Sequence, residues 1–159
     1  MDIKGLSFPN LNLPAFEIKT RTLEGQRTEI FDHFRKKYVV LTPEEWVRQH
    51  MLHFMVSDFS YPRNLLGVEV ALKRGQLNER ADIIAYDSSM EPMLIVECKA
   101  TSVELNQKVF EQAARYNLSL GVSYLGITNG LRLMAARVEH DSGRVLMLKS
   151  FPMYKEIIS

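Results

Sequence analysis

Two carboxylates and one ammonium group occur within two neighbouring apolar segments of the sequence. The first segment, residues 80–86, reads RADIIAY and contains Asp82, whereas residues 94–99 read LIVECK and contain Glu97 and Lys99. Charged side chains among Ile, Val and Leu are costly to bury unless they are paired or bind a metal ion. Their positions therefore indicate chemistry rather than packing.

The short sequence DSSMEP between these two segments carries the residue types that form turns. The flanking segments therefore predict the two arms of an antiparallel hairpin. If Tyr86 and Met93 are the residues that flank the loop, they are expected to pair with each other. In the same register Asp82 lies opposite Glu97, and both carboxylates point to one face. Because side chains alternate along a strand, Lys99 is expected on that face as well.

Two carboxylates beside an ammonium group are suited to divalent-metal chemistry. Mg²⁺ prefers oxygen ligands and retains several waters, so Asp82, Glu97 and the carbonyl of Cys98 predict a site for Mg²⁺ or Mn²⁺. Such an ion can activate water for attack on a phosphodiester, and Lys99 can position that water or stabilise the developing charge. The alternative is a cross-strand cluster of ion pairs that includes Arg80 and has no catalytic role.

Helices are predicted before and after the hairpin, over about residues 42–59 and 103–120. The first begins with an N-cap followed by proline, and Glu45 is expected to complete a capping box. Glu45 is also a candidate to reach the site from this helix. The expected capping residues are Thr42 for the first helix and Thr101 or Ser102 for the second.

Apolar segments predict the strands of one sheet. The segment at 66–73 is interrupted by Glu69, a candidate third carboxylate of the site. The segment at 124–128 follows a helix and is expected to run parallel to the strand that contains Glu97. Two further strands are expected over residues 131–136 and 144–149. The pattern predicts an α/β fold, a three-layer α/β/α sandwich with a central mixed β-sheet.

The length of 159 residues is suited to a single domain. Within it we expect a strand-rich N-terminal extension over residues 1–41, with strands at 16–20 and 28–32 around a turn near Gly25, and an α/β core over 42–159. The basic run at 35–37 is interpreted as a solvated strand end.

Composition excludes several classes of protein. No apolar run is long enough to cross a bilayer, and the single cysteine excludes an intramolecular disulfide framework, so the cytoplasm is the expected compartment. A net charge of +1 gives no overall electrostatic signature of a nucleic-acid binder. No phosphate-binding glycine loop occurs, so any ATP-driven activity needs a partner. His50 and His53 lack the spacing of a metal motif and are interpreted as core or surface residues.

Four pieces of the sequence together resemble the PD-(D/E)xK nuclease superfamily, specifically the N-terminal domain of the R subunits of type I restriction enzymes. They are the capped helix TPEEWVRQ at 42–49, the strand with Asp82, the run ECK at 97–99 and QAARY at 112–116. The resemblance extends over residues 42–133, although Arg80 and Ala81 stand where the family name places a proline before the acid.

This resemblance implies a restriction-endonuclease-like fold and specific roles for the matching residues. It implies that Asp82 and Glu97 bind the metal, that Lys99 is catalytic, and that Gln112 and Tyr116 form a Q-x-x-x-Y element that assists the active site or binds DNA. The expected partners are DNA and a separate translocase or restriction subunit.

Two alternatives stay open from the sequence. One is a catalytically inactive nucleic-acid-binding or assembly module with the same fold. The other is an interaction domain that forms a homodimer through an edge of its sheet.

Overall fold

A computed structural model describes the backbone of residues 2–3, 6–23, 27–74 and 77–159, and the side chains of residues 7–23, 27–72, 80–115 and 120–159. The strands are Asp2–Ile3 (β1), Leu6–Ser7 (β2), Thr20–Thr22 (β3), Thr28–Asp32 (β4), Lys37–Val40 (β5), Leu66–Arg74 (β6), Leu77–Tyr86 (β7), Pro92–Cys98 (β8), Tyr124–Thr128 (β9), Leu133–Glu139 (β10) and Arg144–Met147 (β11). The helices are Pro43–Ser57 (α1), Gln107–Leu120 (α2) and Tyr154–Ile157 (α3), and a 3₁₀ turn spans Arg63–Leu65.

A six-stranded mixed sheet forms the centre of the fold. Its spatial order is β11-β10-β9-β8-β7-β6, and β8 and β9 are its parallel pair. The other neighbouring pairs run antiparallel. The predicted mixed sheet is confirmed, as is the parallel orientation of β9, because α2 connects the end of β8 to the start of β9 and returns the chain to the same edge.

The two longer helices pack against different sets of strand residues. Val96 and Cys98 of β8 share an apolar cluster with Met51 of α1, whereas Ile127 of β9 packs with Phe110 of α2. Along β8, Glu97 lies between the two residues that face α1. Since side chains alternate across a strand, Glu97 points to the side of α2. The alternation supports the three-layer sandwich, which stays an interpretation.

The register of β7 and β8 follows the sequence prediction except at the loop. Ile83 pairs with Val96, which is the register expected from the turn. The predicted pairing of Tyr86 with Met93 is wrong. Tyr86 pairs with Pro92, because a bulge between Ala85 and Tyr86 shifts the strand by one position at the loop.

The ends of the helices differ from the predicted ends. The Thr42 side chain accepts a hydrogen bond from the Glu45 amide at 3.0 Å, as expected of an N-cap. The predicted capping box is wrong, because the Glu45 carboxylate pairs with arginines instead. Helix α2 starts at Gln107 rather than near residue 103, because the Asn106 side chain caps it by accepting the Val109 amide at 3.1 Å.

The N-terminal segment forms a separate three-stranded sheet in the order β3-β4-β5. The strand predicted at 16–20 is displaced to β3, because Phe16 and Ile18 pack into a cluster around Trp46 instead of continuing the ladder. Gly25, near which the turn between the two predicted N-terminal strands was expected, lies outside the described residues. The division of the chain at residue 41 stays a prediction. Within the described part of the chain, no helix is long and apolar enough to span a membrane.

His50 and His53 both pack against aromatic rings on the side of α1. His53 stacks on Phe16 with ring centroids 4.1 Å apart, and the Nδ1 atom of His50 lies 2.8 Å from the Trp46 carbonyl. The pKa of His53 is lowered from 6.5 to about 4, mainly by burial and also by the neighbouring charges of His33, Arg63 and His50, while Asp32 opposes the shift. The neutral ring is therefore the form that fits the fold.

We predict that the free energy of unfolding falls as the pH decreases from about 6.5 towards 4, because the unfolded chain then takes up a proton that folded His53 resists. The His53→Leu variant should show a smaller decrease over this range than the wild type, as measured by urea denaturation. His140→Leu is the control at an exposed histidine and should keep the wild-type dependence. Equal pH dependence in the wild type and the His53 variant would contradict the prediction.

Candidate active site

Asp82 lies where the ladder between β7 and β8 ends, one residue before the Ile83–Val96 pair. Its Oδ2 atom accepts a hydrogen bond from the backbone amide of Cys98 at 2.8 Å. Cys98 stands between Glu97 and Lys99 in the sequence. The carboxylate of Asp82 is therefore held against the backbone that carries the other two candidate catalytic residues.

Glu97 and Lys99 form an ion pair beside this point. The Lys99 Nζ atom lies 2.7 Å from Glu97 Oε1. The Lys99 side chain is 35% exposed and the Glu97 side chain is 28% exposed. Burial raises the pKa of Glu97, and the charge of Asp82 together with a hydrogen bond to it raises this pKa further, although Lys99 opposes the shift. The two carboxylates are thus close neighbours, as the hairpin register predicts.

Lys99 keeps its proton in this position. Burial lowers the pKa of Lys99, but its hydrogen bond to Glu97 and the charges of Glu97 and Asp82 outweigh burial, so that the pKa lies above its ordinary value. An ammonium group partly open to solvent is therefore available next to the two acids. It can attract an anionic group such as a phosphate.

Arg48 of α1 holds the second oxygen of Asp82. Its Nη2 atom donates to Asp82 Oδ1 at 2.8 Å, while Nη1 pairs with Glu45 and lies 3.4 Å from Glu69 Oε1. The Arg48 side chain is only 8% exposed. A buried guanidinium with several carboxylate partners has a fixed orientation. Arg48 therefore fixes the orientation of Asp82.

Arg35 extends this network to the N-terminal sheet. It pairs with Asp32 and Glu45, and its Nη1 atom lies 2.6 Å from Glu69 Oε2. The interpretation of residues 35–37 as a solvated strand end is therefore wrong for Arg35, which is 12% exposed, because these acids neutralise it inside the fold. It is correct for Lys36 and Lys37, which are exposed.

Glu69, the candidate third carboxylate, has an unusual backbone conformation. Its φ angle is +50°, and the ladder of β6 and β7 pairs Val68 with Ile83 and Val70 with Ala81 but passes over Glu69 and Asp82. A positive φ is uncommon for any residue other than glycine and marks a locally strained site. The Glu69 carboxylate pairs with Arg35 and lies 3.4 Å from Arg48, and Arg48 also binds Asp82. Among the described residues, Arg48 therefore links Glu69 to Asp82.

A cleft of about 500 Å³ opens next to Glu97 and Lys99, between the sheet and α2. Its lining residues are Arg80, Ile95, Glu97, Lys99, Val109, Gln112, Ala113, Leu125 and Ile127. Gln112, predicted to assist the site, is exposed and reaches this cleft. Asp82 is not among the residues that line it. The side chain of Tyr116 lies outside the described residues, so its predicted role stays a prediction.

Cys98 contributes its backbone to the site and not its thiol. The thiol is buried, and burial raises its pKa well above the ordinary value. A thiolate ligand is therefore disfavoured, which leaves the carbonyl as the predicted metal ligand. Among the residues whose side chains are described, no three side chains of His, Cys, Asp or Glu lie close enough together to hold a metal ion by themselves.

Arg48, Arg35 and Asp32 are the residues of this network to which the sequence assigned no role at the site. Arg48 follows Glu45 by three positions on α1, a spacing that brings two helical side chains together. An arginine among the apolar positions of a core-facing helix was an available signal. Arg35 had no such signal, because its partners are distant in the sequence apart from Asp32.

We predict that Arg48→Met lowers the free energy of unfolding by about 3 kcal/mol or more, because it removes the buried guanidinium that pairs with Asp82 and one of the two that pair with buried Glu45. Urea denaturation measures this change. Because the residues are in contact, Glu45→Gln combined with Arg48→Met should cost less than the sum of the single changes.

The control for this prediction is Arg144→Met. Arg144 pairs with Glu139 on the surface, and we expect the substitution to leave the free energy of unfolding almost unchanged. An Arg48→Met variant as stable as this control would contradict the role given to the buried guanidinium.

Comparison with known proteins agrees with the observed fold and sequence motifs. The family model of the type I restriction enzyme R protein N terminus matches residues 43–152. A fragment structure of a protein assigned as the HsdR subunit of a type I restriction enzyme from Vibrio vulnificus YJ016 is similar, with a TM-score of 0.54 and 19% sequence identity. That match covers 74% of this chain and 25% of that chain, and at this identity it shows the fold alone. No curated protein matches the chain. The family match over most of the chain shows that this protein belongs to the family of type I restriction enzyme R protein N-termini.

Proposed function

We propose that this protein is a metal-dependent nuclease that hydrolyses phosphodiester bonds of DNA. The observation that supports it most is the hydrogen bond of the Cys98 amide to Asp82, which holds this acid against the backbone between Glu97 and Lys99. Two acids and an ammonium group at one place are the donor set that metal-assisted phosphodiester hydrolysis uses. The family membership supports the same conclusion.

The residues present fit a divalent cation with oxygen ligands. Asp82 and Glu97 are adjacent, and their mutual repulsion contributes to the raised pKa of Glu97. A shared cation would relieve this repulsion, and the carbonyl of Cys98 is the third protein ligand that we propose. Mg²⁺ or Mn²⁺ bound there would supply Lewis-acid stabilisation and lower the pKa of a bound water.

The protein residues around this position have separate roles in the proposal. The Lys99 ammonium positions the attacking water and stabilises negative charge that develops on the phosphate. Arg48 keeps Asp82 in a fixed orientation, because it holds Oδ1 while the Cys98 amide holds Oδ2. Gln112 lies on the side of the cleft formed by α2, from which it can contact DNA.

The proposed nuclease has a restriction-endonuclease-like three-layer sandwich fold, and its proposed partners are DNA and a separate translocase or restriction subunit. The chain corresponds to a quarter of the HsdR fragment chain that it resembles. Because this sequence has no phosphate-binding glycine loop, we propose that a partner supplies any ATP-driven movement of DNA.

A specific observation also favours the alternative of a catalytically inactive DNA-binding module. Both oxygens of Asp82 already have partners in Arg48 and the Cys98 amide, and Glu97 Oε1 is paired with Lys99. Such a cluster can stabilise the end of the hairpin without a metal. The two functions differ in whether DNA is cut, so a cleavage assay separates them.

We predict that the protein cuts plasmid or linear DNA in the presence of Mg²⁺ or Mn²⁺ and that EDTA abolishes this activity. Asp82→Asn and Lys99→Ala should each lower the rate by about 100-fold or more, because one removes a metal ligand and the other removes the charge beside the reacting phosphate. Gel electrophoresis of DNA over time measures the rate.

The matched controls are Asp141→Asn and Lys155→Ala, which alter exposed residues outside the cleft and the ion-pair network and should keep wild-type rates. If Asp82→Asn and Lys99→Ala cut DNA as fast as these controls, the proposed mechanism is wrong. DNA binding without cleavage in the wild type would establish the inactive module instead.

A further inference from the structure

We propose that the cleft beside Glu97 and Lys99 binds one unpaired nucleobase of the DNA strand, next to the phosphate that is cut. This inference rests on the proposed function and names its substrate class, which is DNA with unpaired bases at the cleavage position. The size of the cleft, its chemistry and its place next to the ion pair of Glu97 and Lys99 support it.

The cleft has an apolar interior with polar groups at its edge. Five aliphatic residues from the sheet and from α2 form the interior: Ile95, Val109, Ala113, Leu125 and Ile127. The polar residues are Arg80, Glu97, Lys99 and Gln112. Its volume of about 500 Å³ is in the range of pockets that take small organic ligands. A flat, largely apolar ring with a polar rim fits such a space.

A nucleobase matches this arrangement of groups. The faces of a base can pack between apolar side chains, while its edge carries hydrogen-bond donors and acceptors. Gln112 offers both an N–H donor and a carbonyl acceptor for such an edge. Small aliphatic residues such as Ala113 leave room between α2 and the sheet.

The charges at the edge of the cleft fix where the strand backbone would lie. Lys99 is 35% exposed and Arg80 is 65% exposed, and both line the cleft. Among the described residues, Arg80 forms a long ion pair with Glu69, in which its Nη1 atom lies 3.6 Å from Glu69 Oε1. Phosphates attract these cations, so a base in the cleft places its own phosphate near Lys99.

A base pair within a duplex cannot enter this space. Stacked bases of a double helix are enclosed between two backbones, and an enzyme that takes a base into a pocket must first remove it from the stack. The cost of unpairing is lowest where the strand is already single. Single-stranded or locally unpaired DNA is therefore the preferred ligand of the cleft.

The test is DNA binding in EDTA, where no cleavage occurs, by fluorescence anisotropy of labelled oligonucleotides. The probes are a 12-nucleotide single strand, the same strand with one abasic position moved along it, and the blunt 12-base-pair duplex. We expect the single strand to bind at least about tenfold more tightly than the duplex, and the loss of one particular base to weaken binding about tenfold.

Ala113→Leu fills the cleft and should abolish the effect of the abasic position. Gln107→Leu adds an apolar side chain to the first turn of α2 outside the cleft and is the matched control, with the wild-type effect expected. Gln112→Ala alters an exposed side chain and should reduce the difference in affinity between strands with different bases at that position. Thermal unfolding of each variant confirms that it is folded.

The inference is overturned if the duplex binds as tightly as the single strand, or if no abasic position weakens binding. It is also overturned if Ala113→Leu shows the same abasic effect as Gln107→Leu. Failure of the proposed nuclease activity has a different signature, because DNA would then stay uncut with Mg²⁺ or Mn²⁺ while the position-specific effect on binding persisted.

Discussion

The carboxylate of Asp82 bridges two parts of the structure that the chain brings together from distant positions. One oxygen accepts from Arg48 of α1 and the other accepts from the backbone amide of Cys98 at the end of β8. This bridge takes the place of the next step of the β7–β8 ladder, which ends at Ile83. It decides how the hairpin ends, and therefore where Glu97 and Lys99 project.

The charged groups around this bridge come from four elements. Arg48 and Arg35 lie among four acids that come from the N-terminal sheet, α1, β6 and β7: Asp32, Glu45, Glu69 and Asp82. Buried ion pairs recover little of what they cost in lost hydration, and well-packed apolar residues often stabilise a fold as much. A network of this kind is therefore better explained by the orientation it gives to Asp82 than by stability.

Local chemistry in the sequence is sufficient for much of the fold. The two apolar segments and the turn residues between them predict an antiparallel hairpin in which Ile83 pairs with Val96, next to Asp82 and Glu97. The connection through α2 requires β9 to run parallel to β8. Thr42 marks the start of α1 because its side chain caps the helix. Each of these features depends on residues that are close in the sequence or on the chirality and length of one connection.

Features that depend on contacts between distant residues were not predictable in this way. The sequence does not reveal that Arg35 meets Glu69, because that ion pair exists only after the N-terminal sheet packs against the core. It does not reveal the left-handed backbone at Glu69 either, because this residue type disfavours such a conformation. The start of α2 was misplaced because Thr101, Ser102 and Asn106 are all competent caps, and tertiary packing selects among them.

The central claim is that Asp82 and Glu97 share one divalent cation. Calorimetric titration of the protein with Mn²⁺ tests it directly, with Asp82→Asn and Glu97→Gln as variants and Asp141→Asn as the control. The account predicts one site in the wild type and the control, and loss of that site in both variants. Binding of Mn²⁺ with unchanged affinity in both variants, or no binding by the wild type at millimolar Mn²⁺, would contradict it.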